Sequence, residues 1–192
     1  MTPGDYRTVE SVHWSSAGQV ADFVDRQGLA SILAYESSRY LGQLYLQEYD
    51  PSFIEPGGWE GHRPYADFRV AEPLSLKGRY LTIGCFHVGW MPDGQRESSL
   101  WGRGIGQAML GWLVDWFRDD GRYDGLLAWA VSPASRKLLR MAGQMPHTVY
   151  RRNGFREIKR LRDSRWGDLV AEWAPHELQD ELSDLCVMTL DR

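Results

Sequence analysis

WGRGIGQAMLGWLVDWFRD, residues 101–119, begins as a turn with three glycines, Gly102, Gly104 and Gly106. It continues with apolar residues at Ile105, Met109, Trp112, Leu113, Trp116 and Phe117, a spacing that predicts a helix with one buried face. The run before it, Tyr80 to Trp90, is rich in β-formers, with Leu81, Ile83, Phe86 and Val88 among them. Strand, glycine turn and amphipathic helix together aim bare backbone N–H groups at an anion. Glycine lets the chain come close and take unusual dihedrals. The helix start adds unpaired donors and partial positive charge. The stretch therefore reads as a pyrophosphate cradle; an ordinary strand-to-helix connection has the same outline.

Working outward, Tyr6 to Trp14 alternates in places like a first strand. Ser15 and Ser16 open a helix carrying Val20, Phe23 and Val24 that should stop near Gly28. Leu29–Tyr35 and Tyr40–Glu48 read as an antiparallel hairpin turning through Glu-Ser-Ser-Arg. From Asp50 to Gly78 the pattern is broken by Pro51, Pro56, Gly57, Gly58, Pro64 and Pro73; this irregular insertion is either a substrate-facing wall or a surface excursion. After the long helix, Asp124–Val131 is a strand. Ser132 and Pro133 open another helix, His147–Asn153 is a short turn, and Phe155–Leu161 is a strand. Glu172–Leu182 is a short helix and Leu185–Leu190 a last strand. The order predicts an α/β (α+β) domain spanning 1–192, a mixed sheet flanked by helices.

Length and composition suit one globular domain: 192 residues, 43% hydrophobic and 25% charged. The net charge of -4 argues against nucleic acid and suits a cationic substrate. No apolar run is long enough to span a bilayer, and the first ten residues lack signal-peptide character. Cys85 and Cys186 fall in strand-like runs and read as buried thiols, which suits the cytoplasm. The five histidines show no zinc-like spacing with either cysteine, so no metal is expected. A dinucleotide fingerprint counted from Gly104 fails at Met109, and there is no P-loop motif.

Arg103-Gly104-Ile105-Gly106-Gln107-Ala108 resembles the coenzyme A turn [Q/R]-x-x-G-x-[G/A] of the GNAT superfamily of acyl-coenzyme A-dependent N-acetyltransferases. A register in which Gly104 and Gly106 are the two motif glycines places Trp101 where the family has Gln or Arg. Tyr150-Arg-Arg-Asn-Gly154-Phe155 resembles the family's Y-x-x-x-G-F. The order of elements is similar over roughly Val9 to Leu190. The chain departs from the pattern in the long Trp90–Leu100 loop, the long Ser135–Tyr150 interval and the 50–78 insertion, so the acceptor does not carry over by analogy.

The resemblance implies a mostly antiparallel, splayed central sheet and direct transfer of acetyl from acetyl-CoA to a primary amine, small molecule or peptide, by a monomer or homodimer. A non-catalytic acyl-CoA sensor on the same fold is the alternative. It implies coenzyme binding by Arg103, Gly104, Ile105, Gly106, Gln107 and Ala108, with Ser135 and Tyr150 also facing the coenzyme. It implies pairing of pantetheine with the free edge of the strand before the turn, where Val88 would donate its N–H to the thioester oxygen and Gly89 would form a bulge. Tyr150 is the implied general acid: a phenol of pKa ~10 can protonate a departing thiolate. The amine must lose a proton, and His87 and Glu48 are the candidate bases. The basic run Arg151, Arg152, Arg156, Lys159, Arg160, Arg162 and Arg165 either touches a phosphate or RNA, or forms a solvated strand face with Glu157 and Asp163 interleaved.

Overall fold

A computed structural model describes residues 24–49, 74–131, 143–162 and 184–192, with residues 21, 171, 176 and 179 as isolated positions. The expected first strand, the start of the first helix, the body of the 50–78 insertion, the helix at Ser132 with Ser135, and most of 172–182 lie outside the described residues. Where the first helix is described, it ends as expected: Gly28, at φ +79°, bonds back to Val24.

Six strands form one sheet: β1 (Ser31–Glu36), β2 (Arg39–Glu48), β3 (Tyr80–Val88), β4 (Gly125–Val131), β5 (Arg156–Arg162) and β6 (Asp184–Asp191), in the order β1-β2-β3-β4-β6-β5. The β3–β4 pair is parallel and the others are antiparallel. Every residue of β4 is buried, as its GLLAWAV sequence requires of a central strand covered on both faces. The helix α1 (Ile105–Asp120) carries the chain from β3 to β4. It packs Met109, Leu110, Leu113, Val114 and Phe117 against Leu44, Leu46, Ile83, Phe86, Leu126 and Ala128. Alternate residues of the same strands, Leu127, Trp129 and Val187, join Leu74 and Tyr80 on the opposite face.

Two expectations are corrected at this level. Trp112 is 52% exposed; the buried stripe of α1 runs through Leu110 and Val114 instead. The segment His147–Arg152 is a short helix, α2, rather than a turn.

The sheet splays. β3 and β4 pair only from Tyr80–Gly125 to Ile83–Ala128. Beyond that point β3 stays with β2 as far as Val88, and β4 stays with β6 as far as Val131. The parting coincides with a bulge on β3. Leu46 faces Ile83 and Leu44 faces Phe86, so Gly84 and Cys85 lie opposite the single residue Tyr45. The bulge-former is therefore not Gly89, which ends the strand at φ +72° and sends its N–H to Leu41. A Cβ on Gly89 would lie 2.3 Å from the Glu97 carbonyl oxygen, so the loop after β3 is folded tightly back on the strand end.

Candidate functional site

The glycine turn leads directly into α1. Gly102 (φ +80°) and Gly104 (φ +81°) both take left-handed backbone, with open space where a Cβ would be, so conformation alone demands glycine there. Gly104 is the N-cap and offers no side chain to cap the helix. The first helical bond runs from Ala108 N–H to the Gly104 carbonyl. The N–H groups of Ile105, Gly106 and Gln107 thus have no helical acceptor, and they stand at the positive end of a sixteen-residue helix. A Cβ on Gly106 would come within 2.6 Å of Met145 Cε, the movable end of a side chain, so Gly106 sits in close contact with the 143–146 stretch.

Residues 143–146 lie in the gap between the splayed strands. Phe86 N–H donates to the Gly143 carbonyl at 2.7 Å, and Val131 N–H donates to the Met145 carbonyl at 3.3 Å. Because the Phe86 N–H points into the gap and the Gly89 N–H points away to β2, strand alternation turns the Val88 N–H toward the gap. Turn, gap and α2 border one groove of about 590 Å³. Gly102, Gly104, Ile105, Gly106 and Gln107 form one wall, Phe86 and Val88 another, and Gln144, Met145, Pro146, Thr148, Val149 and Arg152 a third.

The structure distributes the sequence candidates unevenly. Val88, Gly104, Ile105, Gly106 and Gln107 border the groove. Arg103 turns from it: its Nη2 donates to Glu36 Oε1 at 3.1 Å, at the tip of the β1–β2 hairpin. Tyr150 is fully buried, its ring 5.2 Å from Phe155, and its hydroxyl has no hydrogen-bond partner among the described residues. Burial, with a smaller contribution from Cys85, holds that hydroxyl well above the ordinary phenol range. His87 is buried against Trp90 (ring centroids 4.5 Å), and burial, aided by Arg96, lowers its pKa to about 3; the imidazole is neutral. Glu48 lies at the other end of the sheet, opposite Leu81, bound at both oxygens by Arg79. Seven residues of strand separate Leu81 from Val88, roughly 23 Å at the usual rise, so Glu48 is no base for chemistry in the groove. Ser135 is outside the described residues.

Four further residues join the site. Trp101, the residue that departs from Gln or Arg, donates its indole N–H to the Val88 carbonyl at 3.0 Å and fastens the turn to the strand end. Gln144 and Met145 enter the site from an interval whose sequence carried no functional signal. Arg152 belongs in sequence to the basic run. Within that run Arg151 and Arg160 pair with Glu157, and Arg156 pairs with Asp191. Arg152 makes no ion pair among the described residues and borders the groove. Among the described residues no group of His, Cys, Asp and Glu side chains is arranged to hold a metal ion. Cys85 and Cys186 are both buried, and neither forms a disulfide among the described residues.

No protein-family model and no curated protein matches the chain. Solved structures do match. The crystal structure of the NatC complex bound to Gag peptide and CoA contains a chain with 13% identity and a TM-score of 0.52, covering 100% of this chain and 95% of its own. The crystal structure of a mosquito arylalkylamine N-acetyltransferase like 5b gives 12% identity and a TM-score of 0.52, covering 96% of this chain and 87% of its own. Likeness at this level of identity speaks for a shared fold.

Proposed function

The chain has the fold of the GNAT N-acetyltransferases, and on that premise we propose that it transfers the acetyl group of acetyl-CoA to a primary amine by direct attack in a ternary complex. The observation that carries this reading is the groove itself: an uncapped helix start and a splayed strand edge open onto the same space. The N–H groups of Ile105, Gly106 and Gln107 hold the pyrophosphate, and Arg152 supplies countercharge from the facing wall. The Val88 N–H, turned to the gap, polarises the thioester carbonyl. The amine nitrogen attacks the thioester carbon, the carbon–sulfur bond breaks, and the coenzyme thiolate takes a proton. Tyr150 is the proposed donor: it stays a neutral phenol at working pH, and its hydroxyl has no hydrogen-bond partner among the described residues. His87, at a pKa of about 3 and outside the groove lining, is too weak a base for the amine, whose proton leaves to bulk water. The acceptor is a small-molecule or peptide amine. Pairing of the β5 arginines with Glu157 and Asp191 speaks against a nucleic-acid face.

The test is release of free coenzyme thiol from acetyl-CoA across a panel of amines. Tyr150→Phe is expected to lower kcat at least tenfold with little change in KM for acetyl-CoA. A second reading, an acyl-CoA-binding protein without turnover, is favoured by one observation: Tyr150 is sealed in the core and does not border the groove. Tight coenzyme binding with no thiol release from any amine would decide for it.

A further inference from the structure

Four polar side chains border the groove without their functional atoms committed to the turn. Gln107 and Arg152 are exposed, and Thr148 is half-buried. Gln144 differs: it is 4% exposed. Its Nε2 donates to the Gly84 carbonyl at 3.1 Å, and its Oε1 is buried with no hydrogen-bond partner among the described residues. Buried carboxamide oxygens are nearly always bonded, and an exception asks for an explanation. The position is not loose. Gly143 and Met145, on either side, are tied by their carbonyls to Phe86 and Val131, one on each splayed strand. Gly84 is itself part of the bulge where the strands part. The unpaired oxygen is therefore held at the apex of the gap by three hydrogen bonds that leave it unused.

We infer that Gln144 reads the pantetheine arm: its Oε1 accepts an amide N–H of acetyl-CoA while the Val88 N–H serves an oxygen of the same arm. This rests on the functional reading above. The chemistry matches in kind. Pantetheine carries two amides, each a donor beside an acceptor, linked by alkyl stretches. The gap offers an acceptor at Gln144, a donor at Val88, and apolar walls at Phe86, Leu100 and Ile105. A phosphate, which offers only acceptors at neutral pH, has no use for a buried oxygen, so the site suits the arm and not the nucleotide end.

The experiment is calorimetric binding of CoA and of 3′-phospho-ADP, which keeps the pyrophosphate and lacks the arm, to wild type and to Gln144→Met. Methionine keeps the length and removes the acceptor. The expected result is a CoA Kd about tenfold weaker in the variant, the loss of one hydrogen bond, with 3′-phospho-ADP unchanged within about twofold. Equal weakening of both ligands, or no weakening of either, overturns the assignment while leaving the coenzyme site in place. Wild type that binds neither ligand overturns the functional reading and this inference with it. Should Gln144→Met fail to fold, the wild-type protein is titrated with CoA analogues bearing an ester in place of each amide in turn. One analogue should lose about tenfold; two that bind like CoA overturn the assignment.

Discussion

Single residues decide how the groove is built. Gly102 and Gly104 were legible because their demand is local: left-handed backbone in a turn before a helix needs no distant partner to be foreseen. Left-handed backbone costs a non-glycine residue about 1–2 kcal/mol. Gly104→Ala, with φ +81° and nothing in the way of its Cβ, should lose about that much stability in urea unfolding and weaken CoA at least several-fold. Arg103 shows the limit of the same reading. Its charge sits in the motif, yet its guanidinium goes to Glu36, 67 positions away in sequence. Gln144 was invisible for the same reason, and Arg152 could not be told from the rest of its basic run, since only the packing of α2 against the splay brings them to the turn. Tyr150 was picked out by its motif, but no local pattern reports that its ring is sealed beside Phe155.

At the level of elements, period and punctuation found most strands and the long helix, and missed where tertiary context chose. α1 has enough apolar residues to offer two overlapping stripes, and the sheet accepted the one through Leu110 and Val114. Trp112 is left on the outer face. Trp112→Lys should therefore change stability by no more than about 0.5 kcal/mol, whereas Leu113→Ala, in the core, should cost about 2–5 kcal/mol. Chemical unfolding of the two variants side by side checks the orientation of the helix. The strand bulge was misplaced because Gly84 and Gly89 are equivalent in a sequence; pairing with β2 alone separates them. A segment as short as α2 has too few turns to show a period.

For the whole molecule, mixed topology was expected from the order of elements and splay from the family resemblance, and both are found. Burial of His87 couples that architecture to pH. Its folded pKa of about 3 lies below the ordinary 6.5, so the unfolded chain takes up the proton first as pH falls. The contribution is complete above about pH 6.5 and declines as pH drops toward about 3, by up to about 1.4 kcal/mol per pH unit. His147, lowered by burial and by Arg151 and Arg160, acts with the same sign. The carboxylates of Glu97, Asp120 and Glu157, held below their usual range, add their loss only in stronger acid. Urea midpoints should therefore fall between pH 7 and pH 5, and His87→Gln should flatten that slope. A midpoint independent of pH over this interval would contradict the burial of the imidazole.

The short seam between β3 and β4 has one more consequence. Four parallel pairs, Tyr80–Gly125 to Ile83–Ala128, stitch two three-stranded leaves at one end, and among the described residues the other end is spanned only through 143–146. Hydrogen exchange should thus be graded along the spine: the amides of Phe86 and Val131, whose acceptors are borrowed from that bridging stretch, should exchange faster than those of Leu81 and Leu127. Anything that clasps both leaves should erase the gradient from the open end inward.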